Sequence, residues 1–304
     1  MKCNICPREC NKDRSINEVG VCAESDEVSV ARVGLHMWEE PCISGKEGSG
    51  TIFFTGCTLR CIYCQNYAIS SHVDDNKNGV RKIGKRISVN QLSDEFIKLQ
   101  KLGANNINLV TPTHFSLQIK DAIILAREKG LNIPIVYNCS GYEKVETLKQ
   151  LENVIDIYLT DFKYMDGELA RRYSGAENYP EICKAALAEM VRQKKMQKGT
   201  GDFDNRGIMQ KGVIVRVLLL PNHVKNAKEI VKYVYETYGD AVYISLMNQY
   251  TPVSNVKDID DLNRKVTKRE YDRLVDYALS LGINNAFIQE GDVADESFIP
   301  AWDY

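Results

Sequence analysis

From residue 88 onward the chain alternates two hydrophobic patterns: apolar positions spaced by three and four, then short runs that are apolar almost throughout. The first marks a helix with one buried face, and the second marks a strand covered on both sides. Ser88-Val89-Asn90-Gln91 reads as a capping box, opening a helix whose face carries Leu92, Phe96, Leu99 and Leu102 before Gly103. Ile107-Asn108-Leu109-Val110 follows as a strand. Further helices are predicted over residues 119–129, 142–151, 180–191, 227–235 and 268–281, alternating with strands at 134–137, 156–162, 213–220 and 242–247 and a last apolar run at 286–288. A loose polar segment at 198–210 interrupts the series, and a polar link at 74–79 precedes it. Upstream, Thr51-Ile52-Phe53-Phe54 is another buried strand. Repeating βα units of this kind predict an α/β fold, a parallel sheet curling into a partial or near-complete (β/α) barrel.

A chain of 304 residues suits one such barrel with an appendage, and 44% hydrophobic and 26% charged residues are the balance of a globular protein. No apolar run approaches the ~18–20 residues of a membrane span. Met1-Lys2-Cys3-Asn4-Ile5-Cys6-Pro7-Arg8 lacks the apolar centre of a signal peptide, so the ten cysteines point to reduced thiols and metals in the cytoplasm rather than to secreted disulfides. The net charge of −2 gives no global attraction to nucleic acid or anionic membrane, and neither is expected as a partner. Lys194-Lys195-Met196-Gln197-Lys198 is a local basic patch, read as a solvated helix end.

Seven of the cysteines change the picture. Cys57, Cys61 and Cys64 lie in Thr55-Gly56-Cys57-Thr58-Leu59-Arg60-Cys61-Ile62-Tyr63-Cys64, spaced C-x3-C-x2-C, directly after the strand at 51–54. Soft thiolates select iron–sulfur clusters, zinc or Cu(I), and a closed tetrahedral site would need a fourth ligand nearby. The next cysteine is Cys139. Three thiolates without a fourth suggest a [4Fe–4S] cluster with one iron left open, and an open metal position marks a catalytic site. A zinc knuckle or redox dithiol is the other reading of the same loop. Gly56 allows a tight exit from the strand, and Tyr63 can shield one face of a cluster. Ahead of it, Cys3, Cys6, Cys10 and Cys22 follow C-x2-C-x3-C-x11-C in a segment too poor in apolar residues to bury a core. A metal would supply its folding energy, zinc or a second iron–sulfur cluster fitting equally. Residues 1–48 are therefore expected to form a four-cysteine module with its lead-in loop, and 49–304 the barrel with a C-terminal extension. Cys42, in Trp38-Glu39-Glu40-Pro41-Cys42-Ile43-Ser44-Gly45, is either a buried small residue or a site thiol; His36 and Glu39 share that ambiguity.

In a barrel the functional residues follow the C-terminal ends of the strands. Here those ends carry Thr111-Pro112-Thr113-His114, then Asn138-Cys139-Ser140-Gly141, then Asp161-Phe162-Lys163, then Arg216 with Pro221-Asn222-His223, and finally Asn248-Gln249-Tyr250. Core packing needs none of these polar groups. The C-terminal Ile299-Pro300-Ala301-Trp302-Asp303-Tyr304 reads as a tail that packs on the barrel.

The C-x3-C-x-aromatic-C loop resembles the radical S-adenosylmethionine (SAM) superfamily, and the closest likeness is to activating enzymes of glycyl radical enzymes, the pyruvate formate-lyase activase-like group with an N-terminal Cys-x-x-Cys-Pro-Arg-x-Cys module. Trp38 to Gly45, Asn108-Leu109-Val110-Thr111-Pro112-Thr113-His114 and Asp156-Ile157-Tyr158-Leu159-Thr160-Asp161-Phe162-Lys163-Tyr164 carry that likeness. The resemblance implies an oxidoreductase in which SAM chelates the unique iron and is split to a 5′-deoxyadenosyl radical, with reduced flavodoxin or ferredoxin as electron donor. It implies that Thr111, Pro112, Thr113, Asn138, Ser140, Asp161, Lys163, Arg216 and Gln249 bind SAM, with Lys163 pairing its carboxylate and Asp161 holding a monovalent cation. Two departures stand out: Thr111-Pro112-Thr113-His114 replaces the usual Gly-Gly-Glu turn, and Asn138 replaces an acid. Hydrogen abstraction from a protein glycyl site is the first functional expectation. Radical modification of a small molecule or peptide is the second, and a non-catalytic iron–sulfur or electron-transfer protein the third.

Overall fold

A computed structural model of the chain describes residues 2–70, 83–194, 202–289 and 302. The link at 74–79, the basic residues 195–198 and all of the C-terminal tail except Trp302 lie outside the described residues. The strands are β1 (Val28–His36), β2 (Ser49–Phe54), β3 (Lys85–Ile87), β4 (Ile107–Val110), β5 (Ile135–Cys139), β6 (Ile157–Asp161), β7 (Asp202–Phe203), β8 (Met209–Leu218), β9 (Tyr243–Met247) and β10 (Ala286–Ile288). Between them lie α1 (Pro41–Ser44), α2 (Tyr67–Ser70), α3 (Val89–Lys101), α4 (Ser116–Glu128) and α5 (Val145–Gln150), then α6 (Gly167–Ser174), α7 (Tyr179–Lys194), α8 (Val224–Tyr238) and α9 (Lys268–Ser280).

The sheet runs β10-β9-β8-β6-β5-β4-β2-β1-β3, with β7 paired to β8. From β2 to β10 the neighbours are parallel, whereas β1 is antiparallel to both β2 and β3. Among the described residues β3 and β10 share no pairing, so the barrel is open. The helices return the chain over the outside, as right-handed βαβ units require.

Several elements differ from expectation. Leu102 is the C-cap of α3 and is exposed, because the helix ends at Lys101 and its buried face stops at Leu99. The capping box itself is formed, Gln91 N–H donating to Ser88 Oγ at 3.2 Å and Ser88 N–H to Gln91 Oε1 at 2.9 Å. α6 was not anticipated; Asp166 starts it by accepting from the Glu168 and Leu169 amides, and Gly175 ends it in a left-handed conformation. The segment at 198–210 is not uniformly loose, since Asp202–Phe203 pairs back on β8, which begins at Met209. Lys194 is buried rather than solvated: its Nζ donates to the Ile155 carbonyl, and burial depresses its pKa to about 8. β1 extends the sheet as an antiparallel strand from within the first 48 residues.

Strand alternation sorts the barrel interior into layers. Val136, Ile157, Leu159, Met209 and Ile214 form an apolar layer with Cys42 and Ile43 of α1, which plugs that end of the barrel. Two residues further along each strand, and so on the same face, come Asn138, Asp161 and Arg216, and the register sets Asp161 beside Arg216.

Candidate active site

The cysteine loop leaves β2 through Gly56, whose φ is +78°; a Cβ there would sit 2.4 Å from the Cys22 carbonyl oxygen. Only glycine tolerates both the dihedral and the approach. Beyond it, the Leu59 amide points at Cys57 Sγ (3.4 Å), Ser174 Oγ donates to Cys61 Sγ (3.0 Å), and Ser70 Oγ lies 3.2 Å from Cys64 Sγ. Ser174 is held in turn by Tyr164 (2.8 Å), and Tyr164 by Tyr63 (2.7 Å), so a buried relay of hydroxyls runs from the aromatic of the motif to a thiol. Burial, and then the neighbouring Cys61 and Cys64, raise the pKa of the Cys57 thiol; Cys64 is raised by burial and then by Cys61.

All three thiols face one cavity of about 630 Å³ at the C-terminal ends of the parallel strands. Thr111, Asn138, Ser140, Asp161, Lys163, Arg216 and Gln249 line the same cavity. Pro112 and Thr113 are not on its wall; Thr113 is buried and donates to Glu143 Oε1 at 2.6 Å. His114 is also buried, its Nε2 2.7 Å from the Thr55 carbonyl, so it ties the second strand end to the first. Thr111 has φ +59°, strained for a β-branched residue, and its amide is tied to the Asn138 carbonyl at 2.9 Å.

A charged network occupies the cavity wall. Arg216 Nε donates to Asp161 Oδ1 (2.9 Å), its Nη2 to Asn138 Oδ1 (2.6 Å) and its Nη1 to Glu39 Oε2 (3.3 Å). Lys163 Nζ donates to Asp161 Oδ2 (2.6 Å). Glu39 Oε1 accepts from Asn108 (3.0 Å) and Asn138 (3.2 Å). Burial alone would raise Asp161, but Arg216 and Lys163 outweigh it and hold the carboxyl below its ordinary value. Burial opposes the charge on Lys163 as well, and Asp161 reverses it, so the ammonium is stabilised. Glu39 and Glu40 go the other way: burial raises both, with Arg216 only partly offsetting it.

Glu39, Glu40 and Asn108 were not among the predicted site residues. Two adjacent acids before Pro41 were the available signal, since such a pair in an otherwise apolar stretch needs a cation to bury against. Cys42 is a buried residue of α1, packed against the apolar barrel layer.

The donor set fits a cluster with an open iron. The three thiols of the loop open onto a cavity already lined with polar groups; Cys139, a fourth thiol on its wall, is buried and donates to Thr160 Oγ1 at 3.5 Å. Among the described residues no three His, Cys, Asp or Glu side chains close on a single point, as one metal ion would need; in a cubane each thiol meets a different iron. A cation at Asp161 fits less well. Both its carboxylate oxygens already accept from cationic side chains, and a third positive charge would meet two others.

The Radical SAM superfamily model matches residues 51–192, the span that contains the cysteine loop and the first three parallel strands after it. Two Methanocaldococcus jannaschii proteins are similar in sequence. Uncharacterized protein MJ0674 is 29% identical over 91% of this chain and 74% of its own length, and uncharacterized protein MJ0808 is 24% identical over 76% and 64%. Among solved structures, the FeFe-hydrogenase maturase HydG from Carboxydothermus hydrogenoformans superposes with a TM-score of 0.51 at 14% identity, over 79% of this chain and 53% of that one. That likeness concerns the fold, and this chain spans about half of the maturase. The model match covers slightly less than half of the chain, and the maturase likeness is one of fold alone. Among the described residues no helix is long and apolar enough to cross a membrane.

Proposed function

We propose that the chain is a radical SAM enzyme in which Cys57, Cys61 and Cys64 hold a [4Fe–4S] cluster, and that its radical abstracts hydrogen from the glycyl site of a partner protein. The observation that carries the first part is the opening of all three thiols onto the cavity lined by Asn138, Asp161, Lys163 and Arg216. The chemistry supplied when both cofactors are bound is one-electron cleavage of the sulfonium and hydrogen abstraction by the resulting 5′-deoxyadenosyl radical.

This chain's residues bind and orient. Lys163, kept charged by Asp161, is the cation for the SAM carboxylate. Asn138 and Ser140 offer donors and acceptors for the ribose, while the apolar side chains of Leu59, Leu218 and Met247 provide a slot for the adenine. In place of a Gly-Gly-Glu turn, Thr111 on the cavity wall would offer its backbone carbonyl to the amino group, while Thr113 lies off that wall with its carbonyl taken by Ser116. A reduced flavodoxin or ferredoxin is the electron donor in this reading.

The glycyl partner is supported by the likeness of Trp38 to Gly45 and of residues 108–114 and 156–164 to the activase-like group. Anaerobic incubation of the reduced, reconstituted protein with SAM and candidate glycyl radical enzymes tests it by electron paramagnetic resonance. A partner-dependent glycyl signal is expected. SAM turnover that continues with no protein radical on any candidate would assign a small molecule or peptide instead. An intact cluster that fails to bind SAM would leave a non-catalytic iron–sulfur protein.

A further inference from the structure

We infer that Cys3, Cys6, Cys10 and Cys22 hold a metal of their own, and that this metal fixes the surface on which the cluster loop stands. Among residues 2–24 the buried apolar side chains are those of Cys6, Cys22 and Ala23 alone, while Ile16 and Val19 are exposed. Apolar burial therefore contributes little here, and apart from the thiols the segment is anchored mainly by the buried Arg14, whose guanidinium donates to the Glu24, Ser25 and His114 carbonyls. Its backbone is also costly: of the six described non-glycine residues with positive φ, four lie here, at Glu9, Asn11, Asn17 and Ala23. Two of them bracket Cys10 and one follows Cys22. Such conformations persist only where something over-determines them, and no disulfide does so, because all four cysteines are free.

The thiols are nevertheless gathered. Cys10 Sγ and Cys22 Sγ lie 3.2 and 3.3 Å from the point where a Gly20 Cβ would stand, so both thiols crowd that glycine. Cys3 reaches Cys10, and its backbone is stitched to the same turn through Lys12 O (2.8 Å) and the Asn11 amide (3.2 Å). Four soft donors in a segment without a core are what a thiophilic metal needs, and its binding free energy is then folding free energy. Because no three such side chains among the described residues close on one point, an iron–sulfur cluster, in which each thiol meets its own iron, fits these four better than a single zinc ion.

The module meets the cluster loop directly. The Cys57 amide donates to the Cys22 carbonyl (3.2 Å), the same oxygen that excludes a Cβ at Gly56. Thr55 Oγ1 donates to Glu24 Oε1 (2.8 Å), and Arg8 Nε donates to the Thr58 carbonyl (2.8 Å). A ligand of one centre thus hydrogen-bonds a ligand of the other. Only this coupling rests on the reading of Cys57, Cys61 and Cys64 as cluster ligands; the metal itself does not.

The test uses the full chain purified without oxygen, with iron, sulfide and zinc counted for wild type, for Cys57→Ala/Cys61→Ala/Cys64→Ala, and for Cys6→Ala/Cys10→Ala. The triple variant should keep about four irons per chain, with matching sulfide. The double variant should lose that complement, and hydrogen exchange at the amides of residues 56–64 should quicken about tenfold or more. If the double variant does not fold, stripping the triple variant with a chelator and following the same amides replaces it. A triple variant that holds no metal would overturn the site whatever becomes of SAM chemistry. Unchanged exchange after the N-terminal metal is lost would overturn the coupling.

Discussion

Arg216 stands among three carboxyl groups, those of Glu39, Glu40 and Asp161, and with Lys163 it supplies the only two charges of opposite sign named in that network. Burial works against the guanidinium, and Asp161, Glu40 and Glu39 outweigh it. Burial raises both glutamates, and Arg216 only partly offsets it. Arg216→Met should cost about 3–5 kcal/mol, because it strands buried carboxylates. The loss should be larger at pH 8 than at pH 5, where those carboxyls can take up protons, and urea unfolding at the two pH values reads the difference. Glu143 gives a second test. Buried beside Thr113 and Tyr137, it has its pKa raised by burial to about 8. The folded state therefore keeps a proton that the unfolded chain sheds above about pH 4.5, so the contribution of Glu143 to stability falls as pH rises from there to about 8. Glu143→Gln should remove that part of the slope, up to about 1.4 kcal/mol per pH unit; an identical pH profile for both proteins would contradict it. At this scale the sequence named Asn138, Asp161, Lys163 and Arg216 because each is a polar residue at or just past the end of an apolar run. It left Glu39 open, because its partner Arg216 is 177 positions away.

The loop after β2 depends on one conformation and one close approach, both at Gly56. Gly56→Ala should lower stability by about 2 kcal/mol or more, since φ is positive and the added atom meets backbone rather than a movable side chain. It should also lower iron retention after reconstitution, and calorimetry with iron analysis checks both. Ser88→Ala is the milder contrast: it removes the cap of α3 and should cost about 1 kcal/mol, with no change in iron content. α3 and β4 were legible because a capping box and an unbroken apolar run are local signals. β1 was not, since a register shift between Val30 and Arg32 breaks its period-two alternation. α6 escaped notice because it opens on Asp166-Gly167, a pair that reads as a turn, and buries only Ala170, Tyr173 and Ser174.

Across the whole molecule α1 packs on the apolar layer of the barrel, and the cavity beyond that layer is shared by the polar wall and the three thiols of the cysteine loop. The rule that function follows the C-terminal ends of parallel strands brought most of the predicted residues to that cavity. Pro112 and Thr113 fell outside it because the chain turns at Thr111 into the buried 3-10 turn at 113–115, where Thr113 serves Glu143 instead. Trp302 packs edge-on against Phe53 at 5.4 Å, one described point at which the C-terminal tail meets the barrel. The central claim is that these thiols hold a cluster at which SAM is split. Its most direct measurement is the yield of 5′-deoxyadenosine and methionine from SAM by the reduced, anaerobically reconstituted protein, beside the Cys57→Ala variant. Equimolar products from the wild type and none above background from the variant are predicted. Equal yields from the two proteins, or no products from a wild type carrying its full iron, would contradict the account.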